Sequence, residues 1–124
     1  MRVKIDTKEI FHVISIEEAQ LTAIMAGELE DLVKNLLQSD RKSMILDMHL
    51  VDDVEAAIAV LLNKLHEFVY GSGRSFVICC INPAVRKSIE MAGVFDSLNI
   101  TPTDSEAWDI VQMEEIEREL GMDS

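Results

Sequence analysis

Cations are scarce in this sequence: 11 Lys and Arg stand against 23 Asp and Glu, a formal net charge of -12. A field of that sign repels phosphate backbones and anionic headgroups, and no Lys/Arg stripe offsets it locally, so neither nucleic acid nor a membrane is an expected partner. Long apolar runs are missing too. The longest, such as Phe76 to Ile81, fall far short of the roughly 20 residues that cross a bilayer. Met1-Arg2-Val3-Lys4-Ile5-Asp6 alternates apolar with charged residues and lacks the continuous block of a signal peptide, which points to a cytoplasmic protein. Cysteine is limited to the neighbours Cys79 and Cys80. Adjacent side chains of a strand point to opposite faces, so a mutual disulfide or joint metal coordination is not expected, and both read as buried core thiols.

Chemistry-bearing constellations are equally sparse. His12, His49 and His66 have no paired ligand spacing, and no Ser-His-Asp or Cys-His arrangement can be inferred. Gly71-Ser72-Gly73-Arg74-Ser75 lies between a helix and a strand, the reverse of a phosphate loop, and reads as a turn. Glu17, Glu18 and Asp47 suggest an acidic phosphoacceptor pocket, but the hydroxyl and Lys that such a pocket needs are replaced by Asn82 and Thr101-Pro102. The expectation is a protein without catalytic residues, metal or cofactor.

What is present is ordinary for a folded domain: 48% apolar and 27% charged residues in 124, enough for one core. A single domain over residues 1–124 is expected, with 112–124 as a helical acidic extension. Val3 and Ile5 alternate with Lys4 and Asp6, and Ile10 to Ile16 is rich in β-branched residues, predicting a hairpin through Asp6-Thr7-Lys8-Glu9. Met25, Leu29, Leu32, Val33, Leu36 and Leu37 then mark an amphipathic helix from about Ile24 to Gln38, with Thr22 as its N-cap. Met44-Ile45-Leu46 reads as a strand. A second helix, carrying Val54, Ile58, Leu61, Leu65 and Phe68 on one face, is expected to begin near residue 53, where Asp52 and Glu55 have the spacing of a capping box.

Phe76-Val77-Ile78-Cys79-Cys80-Ile81 is apolar on both alternating faces, so this strand needs cover above and below. Asn82-Pro83 starts a short helix that Gly93 ends, a strand follows near Asn99 to Thr101, and the box Thr103-Asp104-Ser105-Glu106 opens a last helix. Trp108 is placed for core packing. Met113, Ile116 and Leu120 form a stripe suited either to a solvated tail or to a docking helix. The order is β-β-α-β-α-β-α-β-α: an α/β fold with a mixed, mostly parallel β-sheet and helices on both faces.

Two local sequences resemble the STAS family, whose best known members are anti-sigma factor antagonists. Phe76-Val77-Ile78-Cys79-Cys80-Ile81-Asn82-Pro83-Ala84-Val85-Arg86-Lys87 matches a strand leading into an (S/N)-P-x-V-(K/R)-(K/R) helix start. Ile89-Glu90-Met91-Ala92-Gly93-Val94-Phe95 matches a helix ending in (S/A)-G-(L/V)-F. The likeness runs from Val3 to Gln112 and is best between Met44 and Leu98. It implies a STAS-like fold and a regulatory module that binds a protein partner, an anti-sigma factor or serine kinase, as a monomer or weak dimer. A self-associating scaffold subunit without a switch is the second reading.

Phosphorylated members of that family carry D-S-(S/T)-G before the second helix. The corresponding stretch here is Val51-Asp52-Asp53-Val54-Glu55-Ala56-Ala57-Ile58-Ala59, with the hydroxyl position falling on Ala56 or Ala57, and no Ser or Thr occurs from Met44 to Gly71. The family's early G-E-L-D-like segment is likewise degraded, to Ile16-Glu17-Glu18-Ala19. A phosphate at a helix start adds about two negative charges; here Asp52, Asp53 and Glu55 place fixed carboxylates instead. The resemblance therefore implies contact through Asp52, Asp53, Glu55, Ala56, Ala57 and Ala59, with Asn82 and Arg86 beside them and no phosphoregulation. Constitutive binding and partial mimicry of a phosphorylated, non-binding state both remain open.

Overall fold

The computed structural model describes residues 1–121, so the final residues 122–124 of the acidic extension lie outside the described residues. Strand β1 (Val3–Thr7) pairs antiparallel with β2 (Phe11–Ile16), and the Lys8 N–H donates to the Phe11 carbonyl at 2.8 Å to close the turn. A 3-10 turn, Ala23–Met25, leads into helix α1 (Ala26–Ser39), which is followed by β4 (Ser43–Asp47). After helix α2 (Ala56–Gly71) come β6 (Phe76–Cys79), α3 (Pro83–Met91), β7 (Ile100–Thr101) and α4 (Asp104–Glu119). The main sheet runs β1-β2-β4-β6-β7, parallel except for β1. Two further strands, β3 (Gln20–Leu21) and β5 (Asp53–Val54), pair with each other in a separate parallel ribbon.

Strands β4 and β6 explain the layers. Met44, Leu46, Phe76 and Ile78 point to one face, where they meet Leu29, Val33 and Leu37 of α1, Ile58, Leu62 and Leu65 of α2, and Val85 and Ile89 of α3. Ile45, Val77 and Cys79 point to the other, where they meet Phe11 and the α4 residues Ala107 and Val111. The period-2 alternation of each strand thus feeds two cores. The mixed, mostly parallel sheet with helices on both faces is the expected fold class. Trp108 packs edge to face on Phe11, ring centroids 5.4 Å apart.

Helix starts divide cleanly. Asn82 and Thr103 cap as expected: Asn82 Oδ1 accepts from the Val85 N–H at 2.7 Å, and Thr103 Oγ1 from the Glu106 N–H at 3.3 Å. Thr22, in contrast, makes no side-chain capping bond and precedes the 3-10 turn rather than α1. The expected start of the second helix near residue 53 is also corrected. Val54 is buried and pairs with Leu21 in β5, so the chain stays extended until Glu55, and α2 begins at Ala56. The Asp52/Glu55 box does not form.

The outer half of α4 turns part of its acidic side toward the sheet. Met113, Ile116 and Leu120 are exposed, whereas Glu114 and Glu115 turn inward to the amino-terminal edge of the sheet. Glu114 Oε1 accepts from Ser75 Oγ at 2.5 Å and from the Tyr70 hydroxyl at 2.7 Å, and Glu115 Oε1 accepts from Ser43 Oγ at 2.6 Å. Ser43 and Ser75 are fully buried, and these carboxylates take their hydroxyl protons, while Ser43 Oγ accepts from the Ser75 N–H and Ser75 Oγ from Arg118 Nη2, both at 2.9 Å.

Candidate functional site

The segment between β4 and α2 is fixed from three sides. The Asp52 and Asp53 amides both donate to the Ala19 carbonyl, at 2.7 and 3.2 Å, and the Glu55 amide to the Leu21 carbonyl at 2.9 Å. Glu55 Oε1 accepts from the Ala23 N–H at 2.6 Å, joining the 3-10 turn to the mouth of α2. Asp53 Oδ1 accepts from the Val54 N–H at 2.9 Å and from Ser88 Oγ of α3 at 3.2 Å. Asn82 completes the clamp, its Nδ2 donating to the carbonyls of Val51 at 3.2 Å and Asp52 at 3.0 Å. A short ribbon and one amide side chain thus hold this loop in a single shape.

On that frame Asp52, Asp53, Glu55, Ala56 and Ala57 are all exposed, side by side at the amino end of α2. Asp53 and Glu55 are engaged within the molecule, while the Asp52 carboxylate takes no hydrogen bond or ion pair among the described residues. Arg86 is exposed, lies 4.5 Å over the Phe95 ring and sits 3.6 Å from Glu90. Two of the sequence-assigned residues change role. Ala59 has 0% exposure and packs against the sheet beside Ile58 and Leu62, so it cannot touch a partner. Asn82 is half-buried and spends its amide on the loop and its own helix, which makes it a positioning residue.

The sequence assignment also missed an apolar rim. Ile24 is 90% exposed, Met91 78%, Val60 56% and Leu50 47%, values that set them apart from an ordinary half-covered surface. Ala56 and Val60 stand one turn apart on α2, and Ala56 shares a shallow cleft of about 270 Å³ with Ser88, Met91 and Ala92 of α3. Helical phase carried the signal: Met91 falls off the Val85/Ile89 stripe and Val60 off the Ile58/Leu61/Leu65 stripe. The site therefore pairs carboxylates with exposed methyl and thioether groups. That composition suits contact with a protein.

Replacing Asn82 tests how the site is held. Asn82→Ala removes an N-cap and two bonds to loop carbonyls and is expected to cost about 1–2 kcal/mol in urea unfolding. Amide exchange at Asp52 and Asp53 should accelerate beyond the change set by global stability. Exchange at those two amides that merely tracks the global loss would show that the ribbon alone holds the loop.

Elsewhere the described residues offer little reactive chemistry. Burial, the largest influence, pushes the thiols of both Cys79 and Cys80 above their ordinary range, so neither is a ready nucleophile. Their placement corrects an expectation. Cys79 is buried as foreseen, but Cys80 is only half-buried and has φ 65°, which breaks the strand alternation. The two sulfurs and an Asp47 carboxylate oxygen all lie within 4.8 Å of one another. No helix among the described residues is long and apolar enough to cross a membrane.

A family profile described as STAS domain matches residues 3–107. No curated protein matches the sequence closely. Among solved structures, the chain is similar to an anti-sigma-factor antagonist (STAS) domain protein from Planctomyces limnophilus, with TM-score 0.76 and 13% identity over 89% of this chain and 97% of that one. It is similar to a serine-to-glutamate variant of RsbS from Moorella thermoacetica, with TM-score 0.74 and 21% identity over 90% of this chain and 96% of that one. It is also similar to a chain from the stressosome, a signal integration and transduction hub, with TM-score 0.69 and 20% identity over 88% and 96% of the two chains. At such identities the structural likeness speaks for the fold.

Proposed function

The chain belongs to the STAS domain family, which its profile matches over residues 3–107, and from that membership we propose a regulatory protein-binding module resembling an anti-sigma factor antagonist, without a phosphorylatable switch. It acts in the cytoplasm, without catalysis, by binding an anti-sigma factor or serine kinase through Asp52, Asp53, Glu55, Ala56 and Ala57, with Arg86 beside them. One observation carries this reading: Ala56 and Ala57 are exposed at the mouth of α2, in a segment with no Ser or Thr from Met44 to Gly71. Methyl groups stand where a hydroxyl could be charged and discharged, beside the fixed carboxylates of Asp52, Asp53 and Glu55. The exposed Ile24, Val60 and Met91 supply apolar area that carboxylates alone would not.

The test uses a serine kinase of the anti-sigma type, with ATP. The unaltered chain should form a complex that persists through prolonged incubation, and mass spectrometry should find no phosphate on residues 50–59. Ala56→Ser and Ala57→Ser each restore a hydroxyl, and one of them should acquire phosphate and lose the complex. Phosphate on this loop of the unaltered chain would end the proposal.

A second reading, a self-associating scaffold subunit, draws on the likeness to a stressosome chain and on the exposed Met113, Ile116 and Leu120. Light scattering separates the two. A monomer or weak dimer supports the antagonist, and a large stable assembly supports the scaffold.

A further inference from the structure

Beneath the docking loop, β4 and β6 end side by side, with Asp47 opposite Cys79 in the register. The carboxyl edge of a parallel sheet is where α/β folds place ligands, because strands stop there and helices begin. Cys79 faces α4, and the next residue would face away if the strand continued. Instead Cys80 adopts φ 65°, a conformation that costs a non-glycine residue stability and that turns its side chain back toward the α4 face. Both sulfurs and an Asp47 oxygen consequently fall within 4.8 Å of one another. His49 buttresses the third donor: its amide and its Nδ1 lie 3.0 and 2.9 Å from Asp47 Oδ1.

We propose that Cys79, Cys80 and Asp47 form a site for one thiophilic divalent cation, Zn²⁺ or Cd²⁺, with the fourth position taken by water. Donor type selects the metal class, since two sulfurs favour a soft or borderline ion over Mg²⁺ or Ca²⁺. Size is also compatible. A tetrahedral ion with bonds of about 2.3 Å to sulfur and about 2.0 Å to oxygen sets its sulfurs roughly 3.8 Å apart and sulfur and oxygen roughly 3.5 Å apart, so donors within 4.8 Å need to close by at most about 1.3 Å. The half-buried Cys80 and the partly exposed Asp47, whose side chain is 14% exposed, give an ion its path to the buried Cys79. As two sulfur–metal bonds form, two thiol protons pass to solvent. His49 acts through Asp47, as a positioning residue that fixes the carboxylate.

Co²⁺ gives a readout that separates sulfur ligation from adventitious carboxylate binding, which a chain of net charge -12 is bound to show. The full chain, reduced and stripped with a chelator, should develop a thiolate-to-cobalt charge-transfer band and the visible bands of a tetrahedral ion, saturating at one equivalent. Cd²⁺ should displace the cobalt. Cys80→Ala should abolish the charge-transfer band while circular dichroism shows the fold retained; Cys79→Ala should do the same, and Cys80→Ala decides if the buried variant fails to fold. His49→Ala should weaken binding about 10- to 100-fold, as outer-shell partners of metal ligands do. Only weak octahedral absorption from the unaltered chain, or an unchanged band in Cys80→Ala, overturns the site.

Discussion

Aspartate introduced at Ile45, and separately at Leu46, should leave the chain unfolded at room temperature. The two residues are neighbours in β4 and both have 0% exposure, yet they serve different cores. Leu46 belongs to the face covered by α1, α2 and α3, and Ile45 to the face covered by α4. Losing either side chain costs about 2–5 kcal/mol, and burying a carboxyl without a partner adds several more. The sum is comparable to the whole stability of a typical domain, about 5–15 kcal/mol. Ile5→Asp serves as control, because Ile5 is 39% exposed on an edge strand, and it should cost under about 1 kcal/mol. Far-ultraviolet circular dichroism with a urea titration reads all three. A sheet with one face in water would tolerate aspartate at one of the two β4 positions, and that outcome would refute the layered reading.

The same alternation makes the fold legible in the sequence. Phe76 to Cys79 has no polar face, a pattern that only a doubly covered strand can accommodate, and Asn82-Pro83 and Thr103 to Glu106 announce their helices through capping chemistry set by local backbone need. The β3/β5 ribbon was not legible. It is two residues long on each side and joins segments far apart in the chain, so no periodicity could reveal it. Val54 made matters worse, since its spacing to Ile58, Leu61 and Leu65 suits the buried stripe of α2. Pairing with Leu21 outweighed that local preference. Cys80 is a similar case: its left-handed backbone is carried by no glycine or asparagine signal, and the sequence therefore predicted thiols on opposite faces.

For the candidate site, composition was readable and orientation only in part. Ala56 and Ala57 were singled out by the resemblance, whose phosphorylated hydroxyl position falls on them, and both are exposed. Ala59 went astray because the resemblance placed it in the same contact stretch, whereas its small side chain is buried in the core beside Ile58 and Leu62. Ile24 and Met91 went unnoticed for the opposite reason, since a large apolar residue is first assigned to the core. The phase of α3, set by Val85 and Ile89, turns Met91 outward. Asn82 was read correctly as a cap and too generously as a contact, because bonds to Val51 and Asp52 depend on a loop whose path no sequence pattern specifies.

Glu114→Ala is expected to cost about 2–4 kcal/mol, because it strips the acceptor from two donors at once, the buried Ser75 hydroxyl and the Tyr70 hydroxyl. Burial first, and the bond to Glu114 second, push the Tyr70 hydroxyl well above its ordinary range, with the Asn99 amide, 2.6 Å away, acting in the opposite sense. The sign of the resulting pH dependence follows from proton counting. The unfolded chain releases this proton near pH 10, while the folded chain retains it to higher pH. Between those limits the unfolded state binds fewer protons, so the contribution is fully present below about pH 10 and is lost as pH rises toward the folded value. Tyr70 is the only tyrosine, and tyrosinate absorbance therefore reports it alone. The absorbance should rise together with alkaline unfolding in the unaltered chain. In Glu114→Ala it should rise at lower pH, yet still above the ordinary value, since burial persists. Tyrosinate appearing near pH 10 in a chain that is still folded would show that the hydroxyl is neither buried nor held by Glu114, and the docking of α4 through its acidic face would have to be abandoned.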